Sequence, residues 1–392
     1  MNLPNIPALS REDLPALNLI ARSNDLKKLV DVLAQERIIA VDTESNSLYA
    51  YYEKVCLIQF STAQTDYLVD PLAVEDLSPL RRIFANPKIE KIFHASEYDL
   101  ICLRRDYGFQ FANLFDTMLA ASLLGRDEVG LGAILGSEFG IQIDKHYQRA
   151  NWGQRPLPPH LLAYARLDTH YLIPLRNRLK EDLERTDRWP LAEEDFKRLC
   201  LVSNRLAENG TVRNAEIANG NCWRIKGARD LDPQQAAVLQ ELNNYRDQTA
   251  RGRDLPVFKV IGDATLLAIA TACPASLPEL KQIKGMTDNQ VRRHGRALLE
   301  AVHRGLKARP IRPKRNQRPD DQYLSRLEAL RQWRKATAQE IEVKSDMVLP
   351  RDIMQELAAE APQTRKALRA IMRETPWRYK HFGEQILKVL VH

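Results

Sequence analysis

The chain has 392 residues, a formal net charge of +7 and 44% hydrophobic residues, which fits roughly two to four domains with buried cores. No apolar run approaches the ~20 residues of a membrane-spanning helix, and the first residues show no basic segment followed by an apolar one, so we expect neither a membrane protein nor a secreted one. The five cysteines are far apart and form no CxxC pair, which disfavours a disulfide framework or a zinc knuckle and fits the cytoplasm.

The first half of the chain predicts a mixed α/β domain. Three β-like runs, Arg37–Glu44, Val55–Ser61 and Tyr67–Val69, follow one another closely and predict an antiparallel meander. Asp76–Phe84 then predicts a helix and Lys91–His94 a fourth strand.

Helical periodicity dominates after the fourth strand. Apolar residues from Leu161 to Leu179 predict an amphipathic helix or a pair of helices kinked at Pro174. We therefore predict one compact domain, a mixed sheet flanked by helices, over residues 1–205.

Strand signals nearly vanish beyond about residue 190. Residues 212–303 predict a bundle of short helices, and residues 304–319 a linker, since they hold seven Lys or Arg, three Pro and no acid. Residues 320–392 predict helices again. The helices predicted in the first bundle are Pro233–Arg251, Asp263–Thr271, Ser276–Lys281 and Thr287–His303.

Two helical stretches share one order of features. LQELNNYRDQTARGRDLPVFKVIGDATLLAIA and LEALRQWRKATAQEIEVKSDMVLPRDIMQELA each contain an apolar helix, a basic tail, a loop and a Leu-rich helix. We interpret them as two copies of one helical module, the second more divergent. The alternative is two unrelated bundles of similar composition.

Four acidic residues stand out because they fall at predicted strand ends or on helices. Asp42 and Glu44 lie two apart at the end of the first predicted strand, so both carboxylates project from one face. Asp99 lies about one turn into a predicted helix, and Asp168 lies four residues after Tyr164, on the same helical face.

Each acid alone has an ordinary structural explanation: a solvated turn, a helix cap, or an acid facing water beside a core tyrosine. Together they could hold two divalent cations, Mg²⁺ or Mn²⁺, that clamp the attacking and leaving oxygens of a phosphoryl transfer. Tyr164, with an ordinary phenol pKa near 10, would position a water more readily than act as a free base.

The same segments resemble the three motifs of the DEDD superfamily of 3′→5′ exonucleases. DTE (42–44) is similar to the first motif, HASEYDL (94–100) to the second and YARLD (164–168) to the third. A tyrosine at position 164 is typical of the tyrosine subgroup. NLFDT (113–117) and KHYQRANWGQRPLP (145–158) extend the resemblance to the ribonuclease D family, and residues 215–304 and 320–392 resemble HRDC domains.

The resemblance implies an RNase H-like α/β nuclease domain followed by two all-α HRDC-type domains. It also implies roles for five residues. Asp42, Glu44 and Asp168 would bind the metal that activates water, Asp42 would bridge to a second metal, and Asp99 would act partly through water, with Tyr164 beside them. The implied reaction releases 5′-mononucleotides from RNA 3′ ends, including tRNA precursors with 3′ extensions.

Basic residues of the first helical module are candidates for gripping RNA phosphates, against the alternative of an ordinary solvated face. A DNA exonuclease on the same scaffold and a non-catalytic RNA-binding scaffold remain alternatives. No G-x-x-x-x-G-K-[ST] loop is present, so no ATP-driven activity is expected. The RNA-binding candidates are Arg246, Arg251, Arg253, Lys284, Arg292 and Arg293.

Overall fold

The computed structural model describes residues 14, 17–143, 145–208, 221–313 and 319–391. The predicted domain start at residues 1–13 and the predicted boundary at 212 lie outside the described residues. The chain forms two compact units. One contains Met1–Glu44, Val55–Ala207 and Arg318–His392, and the other contains Ser45–Lys54 and Glu208–Gln317.

The first unit is built on a six-stranded mixed sheet with the order β1-β4-β3-β2-β5-β6. β3 and β4 pair antiparallel, whereas β1 with β4, β2 with β5, and β5 with β6 pair parallel. The strands are β1 (Leu17–Ile20), β2 (Ile38–Ser45), β3 (Val55–Ser61), β4 (Asp66–Val69), β5 (Glu90–Phe93) and β6 (Leu114–Asp116).

Helices cover this sheet and bury its central strands. Every residue of β3 is buried, because apolar side chains pack against both of its faces. The helices of this region are α1 (Ser23–Leu33), α2 (Arg81–Phe84), α3 (Glu97–Tyr107), α4 (Thr117–Leu123), α5 (Leu131–Phe139), α6 (Pro159–Ala165), α7 (Leu167–His170), α8 (Leu172–Arg185) and α9 (Trp189–Glu208).

The predicted mixed sheet flanked by helices is confirmed, with local differences. Two edge strands, β1 and β6, are absent from the prediction. The predicted kink at Pro174 is wrong: the helix breaks at Arg166 and at Tyr171, and Pro174 lies in the first turn of α8, where its missing N–H leaves no bond unmade. α9 continues to Glu208, past the predicted domain end at 205.

The second unit holds the first helical module. Asp232 starts its long helix with a capping box that it forms with Gln235, and Thr287 caps its last helix. That helix ends at Lys307, so the first residues of the predicted linker are helical. The helices are α10 (Pro233–Arg253), α11 (Val257–Val260), α12 (Asp263–Ala272), α13 (Leu277–Lys281) and α14 (Asp288–Lys307).

The second helical module repeats this series of a long, a four-residue, a ten-residue, a short and a long helix. In both modules the ten-residue helix ends at a residue with positive φ, Cys273 and Ala361, and the next helix begins after a capping hydroxyl, Ser276 and Thr364. The two modules therefore share one fold. The helices are α15 (Asp321–Glu340), α16 (Ser345–Val348), α17 (Arg351–Glu360), α18 (Arg365–Ile371) and α19 (Pro376–Val391).

The second module packs on the sheet domain within the first unit. Arg378 of α19 is fully buried and donates to Glu194 and Asp195 of α9, at 2.6 and 2.8 Å. Arg188 donates to the Ile341 carbonyl oxygen at 2.6 Å. Among the described helices, none has the length and hydrophobicity needed to cross a lipid bilayer.

Candidate active site

The first two acidic residues lie at the carboxyl end of β2. β2 is buried from Ile39 to Val41 and opens at Asp42. Because side chains alternate along a strand, Asp42 and Glu44 project from one face. The Thr43 hydroxyl donates to an Asp99 carboxylate oxygen, so this residue between the two acids ties β2 to α3.

Asp99 lies in the first turn of α3, just after the turn that leaves β5. Asp116, the last residue of β6, orders that turn. Its carboxylate accepts the backbone N–H groups of Ala95 and Ser96 at 3.2 and 2.7 Å and also caps α4. This network supports the positive φ of Ala95, 62°, which a residue other than glycine rarely adopts. Asp116 therefore positions the second motif.

Asp168 lies on the four-residue helix α7, and Tyr164 lies on α6 just before it. The residues that flank α7 are both held by Asp66 of β4. Arg166 donates to the Asp66 carboxylate at 2.7 Å, and His170 Nδ1 lies 2.9 Å from the same oxygen. Because Asp66 is 1% exposed, this cluster fixes the short helix against the sheet.

The predicted site residues meet at one cavity of about 430 Å³. Asp42, Glu44, Tyr164 and Asp168 line it, and Asp99 lies beside it, bonded to the lining residue Thr43. The structure thus gathers residues separated by more than 120 positions in the sequence. The other lining residues are His94, Gly130, Leu131, Gly132, Ile143 and Gln148.

The pKa values report a crowded, desolvated group of negative charges. Burial, and then the neighbouring carboxylates, raise the pKa of Asp42 and of Glu44 well above their ordinary values. Burial raises the pKa of Asp99 to about 7, and burial together with Asp99 raises the pKa of Asp168 to about 7. Burial and the nearby carboxylates also raise the pKa of Tyr164, so its phenol stays protonated at neutral pH.

These carboxylates form a suitable oxygen donor set for divalent cations. Within the described residues, none of the four acids pairs with a Lys, Arg or His side chain, and a bound cation would relieve their mutual repulsion. In the described part of the chain, no three acidic, histidine or cysteine side chains lie close enough together to surround a metal ion. The donors therefore share one pocket without forming a closed coordination shell.

Several pocket residues escaped the sequence reasoning. Gln148 hydrogen bonds to Tyr164, and His94 lines the cavity. Trp152 and Gln59 are 1% and 0% exposed, so both belong to the core. The signal for Gln148 was its place in the KHYQRANW stretch, whereas apolar wall residues such as Leu131 give no sequence signal.

The structure does not support the prediction that Arg246 binds RNA. Its side chain is buried, and it donates to Asp263 at 2.5 Å and to Asn243 at 2.8 Å. Arg246 therefore stabilises the first helical module and does not face a ligand. Arg251 is exposed, and its guanidinium lies over the Tyr51 ring and bonds to the Tyr51 hydroxyl. The exposed members of the set are Arg251, Arg253, Lys284, Arg292 and Arg293.

Two family models match the chain. A 3′-5′ exonuclease domain matches residues 17–184, and an HRDC domain matches twice, at residues 235–302 and 324–390. The second HRDC match confirms that the two helical stretches are copies of one module. The exonuclease match covers all four acids and Tyr164. Exonucleases of this family depend on divalent metal ions.

Known proteins extend the match over most of the chain. Ribonuclease D of Escherichia coli is 32% identical over 73% of this chain and 74% of its own length. Protein RRP6-like 2 of Arabidopsis thaliana is 32% identical over 77% of this chain, but the chain spans only 35% of that longer protein. The crystal structure of Escherichia coli RNase D superposes with a TM-score of 0.67 at 26% identity, covering 96% of this chain and 98% of that one. With its acidic pocket and two helical modules, the chain belongs to the ribonuclease D family of 3′-5′ exoribonucleases.

Proposed function

We propose that the protein removes nucleotides one at a time from RNA 3′ ends by hydrolysis with two divalent metal ions, Mg²⁺ or Mn²⁺, and releases 5′-mononucleotides. The observation that carries the proposal is the convergence of Asp42, Glu44 and Asp168 on one cavity, with Asp99 coupled to them electrostatically. When bound, the ions would supply an activated water and stabilise the leaving 3′-oxygen.

The protein's own groups would divide the work. Asp42, Glu44 and Asp168 would hold one ion, Asp42 would bridge to the second, and Asp99 would act partly through water. Tyr164 would orient the attacking water. Its raised pKa keeps the phenol protonated, so it acts as a fixed hydrogen-bonding group, and Gln148 holds it in place.

The substrate proposed is RNA with an accessible 3′ end, in particular tRNA precursors with 3′ extensions. The similar Escherichia coli structure is described as an exoribonuclease involved in structured RNA processing. Exposed cations of the first HRDC domain, including Arg253, Arg292 and Arg293, would neutralise phosphates and give affinity that falls with salt.

A pair of 5′-labelled oligomers, one RNA and one DNA of identical sequence, tests this proposal. Incubation with Mg²⁺ or Mn²⁺ should give a descending ladder on RNA, and EDTA should stop it. A mid-chain cut on RNA would contradict the exonuclease assignment. An equal ladder on DNA would assign the chain to the alternative nuclease on the same scaffold.

A further inference from the structure

One polar side chain of the catalytic cavity has no role in the metal chemistry. His94 follows β5 directly and lines the cavity together with Asp42, Glu44 and Asp168. Its Nδ1 lies 2.9 Å from the Thr117 hydroxyl oxygen. No described residue binds Nε2, the nitrogen on the other edge of the ring.

The hydrogen bonds around Thr117 decide which ring nitrogen carries the proton. The Thr117 hydroxyl oxygen lies 3.1 Å from the Phe93 carbonyl oxygen. A carbonyl can only accept, so the single hydroxyl proton must be donated to it. The hydroxyl oxygen can then only accept from His94, which requires a proton on Nδ1.

His94 therefore presents an acceptor to the cavity. Burial lowers the pKa of His94, so the ring is neutral at neutral pH and carries one proton, at Nδ1. Nε2 keeps its lone pair. The tautomer is held firmly because Thr117 is fully buried and Asp116 fixes the turn that carries His94.

An acceptor in this place needs a donor from the substrate. Ionised phosphate oxygens are themselves acceptors, as the carboxylates of the pocket would be when they hold metal ions, whereas every RNA 3′ terminus carries ribose hydroxyls, whatever its base. We propose that His94 Nε2 accepts a hydrogen bond from a ribose hydroxyl of the terminal nucleotide, and so contributes to the recognition of RNA. This inference rests on the proposed function; if the hydroxyl is the 2′-OH, His94 distinguishes RNA from DNA.

Three 5′-labelled RNAs that differ only in the terminal nucleotide test the contact: ribose, 2′-deoxyribose and 3′-deoxyribose. For the first cleavage, kcat/KM of the wild type should fall about tenfold on the RNA that lacks the bound hydroxyl. On the ribose RNA, kcat/KM of His94→Phe should be lower than that of the wild type by a similar factor. For this variant, kcat/KM should not fall further on the RNA that lacks the bound hydroxyl. His94→Gln, whose amide oxygen can accept, should recover part of the discrimination.

Discrimination by His94→Phe equal to that of the wild type would overturn the inference while leaving the proposed function intact. A wild type that shortens none of the three RNAs would instead contradict the proposed function. A measurement independent of turnover uses ¹⁵N-histidine NMR of the full chain, with the His94 signal assigned by its loss in His94→Phe. An unprotonated Nε2 supports the inference, and a proton on Nε2 overturns it.

Discussion

At the residue scale, the catalytic pocket gathers like charges that repel one another. Asp42 lies among Glu44, Asp99 and Asp168, and all four have pKa values raised by burial and by their neighbours. Such an arrangement is unfavourable without a cation and favourable with one. The arrangement therefore fits the metal-dependent hydrolysis proposed above.

Asp42→Asn should abolish hydrolysis and leave RNA binding largely intact. The substitution removes the carboxylate proposed to bridge both ions but preserves size and fold. Single-turnover cleavage should fall by at least about 10³-fold, while RNA affinity measured in EDTA should stay within about twofold. Asp25→Asn, at an exposed acid on α1, is the matched control. Retained turnover in Asp42→Asn would refute the bridging role.

The raised pKa values also predict how stability depends on pH without metal. A carboxyl whose folded pKa is raised contributes stability below its unfolded pKa, near 3.8, and that contribution is lost as pH rises through about 7 for Asp168. Asp168→Asn cannot ionise. In EDTA its thermal midpoint should therefore exceed that of the wild type at pH 8 and approach it at pH 5. A gap that is constant over this range would contradict the shift.

At the element scale, the site depends on two short connections that buried side chains hold rigid. Asp116 orders the turn between β5 and α3, and Asp66 anchors both flanks of α7. Neither carboxylate touches the cavity. Both act by fixing the direction in which a neighbouring acid projects, which is why a four-residue helix can carry Asp168.

Asp66→Asn tests this anchoring. Arg166 and His170 would lose their ionic partner in a buried place, which should lower the free energy of unfolding by about 3 kcal/mol or more. kcat should fall more than KM rises, because Asp168 loses its orientation. Urea unfolding and steady-state kinetics measure the two effects. Asp31→Asn, at an exposed pair with Arg82, should change stability by less than about 1 kcal/mol. If Asp66→Asn matches this control, α7 is held by packing alone.

The sequence predicted the central strands β2 to β5 within about a residue and missed the edge strands β1 and β6. β3 is predicted to the residue because its apolar run has the length of a strand and is too short for a helix, and the starts of α10 and α12 are marked by Asp232-Pro233 and Gly262. The four acids of the site came from motif spacing. The burial of Arg246 could not be predicted from the sequence, because the partners of a charged residue on a helix are set only when the helices pack.

At the scale of the whole molecule, the two HRDC modules share a fold but have different surroundings. The first lies in a unit with residues 45–54, and the second lies in the unit that contains the sheet. Arg378 is fully buried in the second module and contacts Glu194 and Asp195 of α9 together with the Val348 and Met347 carbonyl oxygens. This contact makes the second module a fixed part of the nuclease unit.

Arg378→Leu should therefore destabilise the nuclease unit as well as the module that carries the change. Two carboxylates that are 5% and 7% exposed would lose their only cation in the described structure, at a cost of about 3–5 kcal/mol. Urea unfolding should show the same loss of unfolding free energy at low and at high salt, because salt screens a buried ion pair poorly. Arg365→Leu removes the exposed pair with Glu384 and should leave the midpoint nearly unchanged. Limited proteolysis should cut the second module of Arg378→Leu faster than that of the wild type; resistance equal to that of the wild type would show that apolar packing alone holds the module.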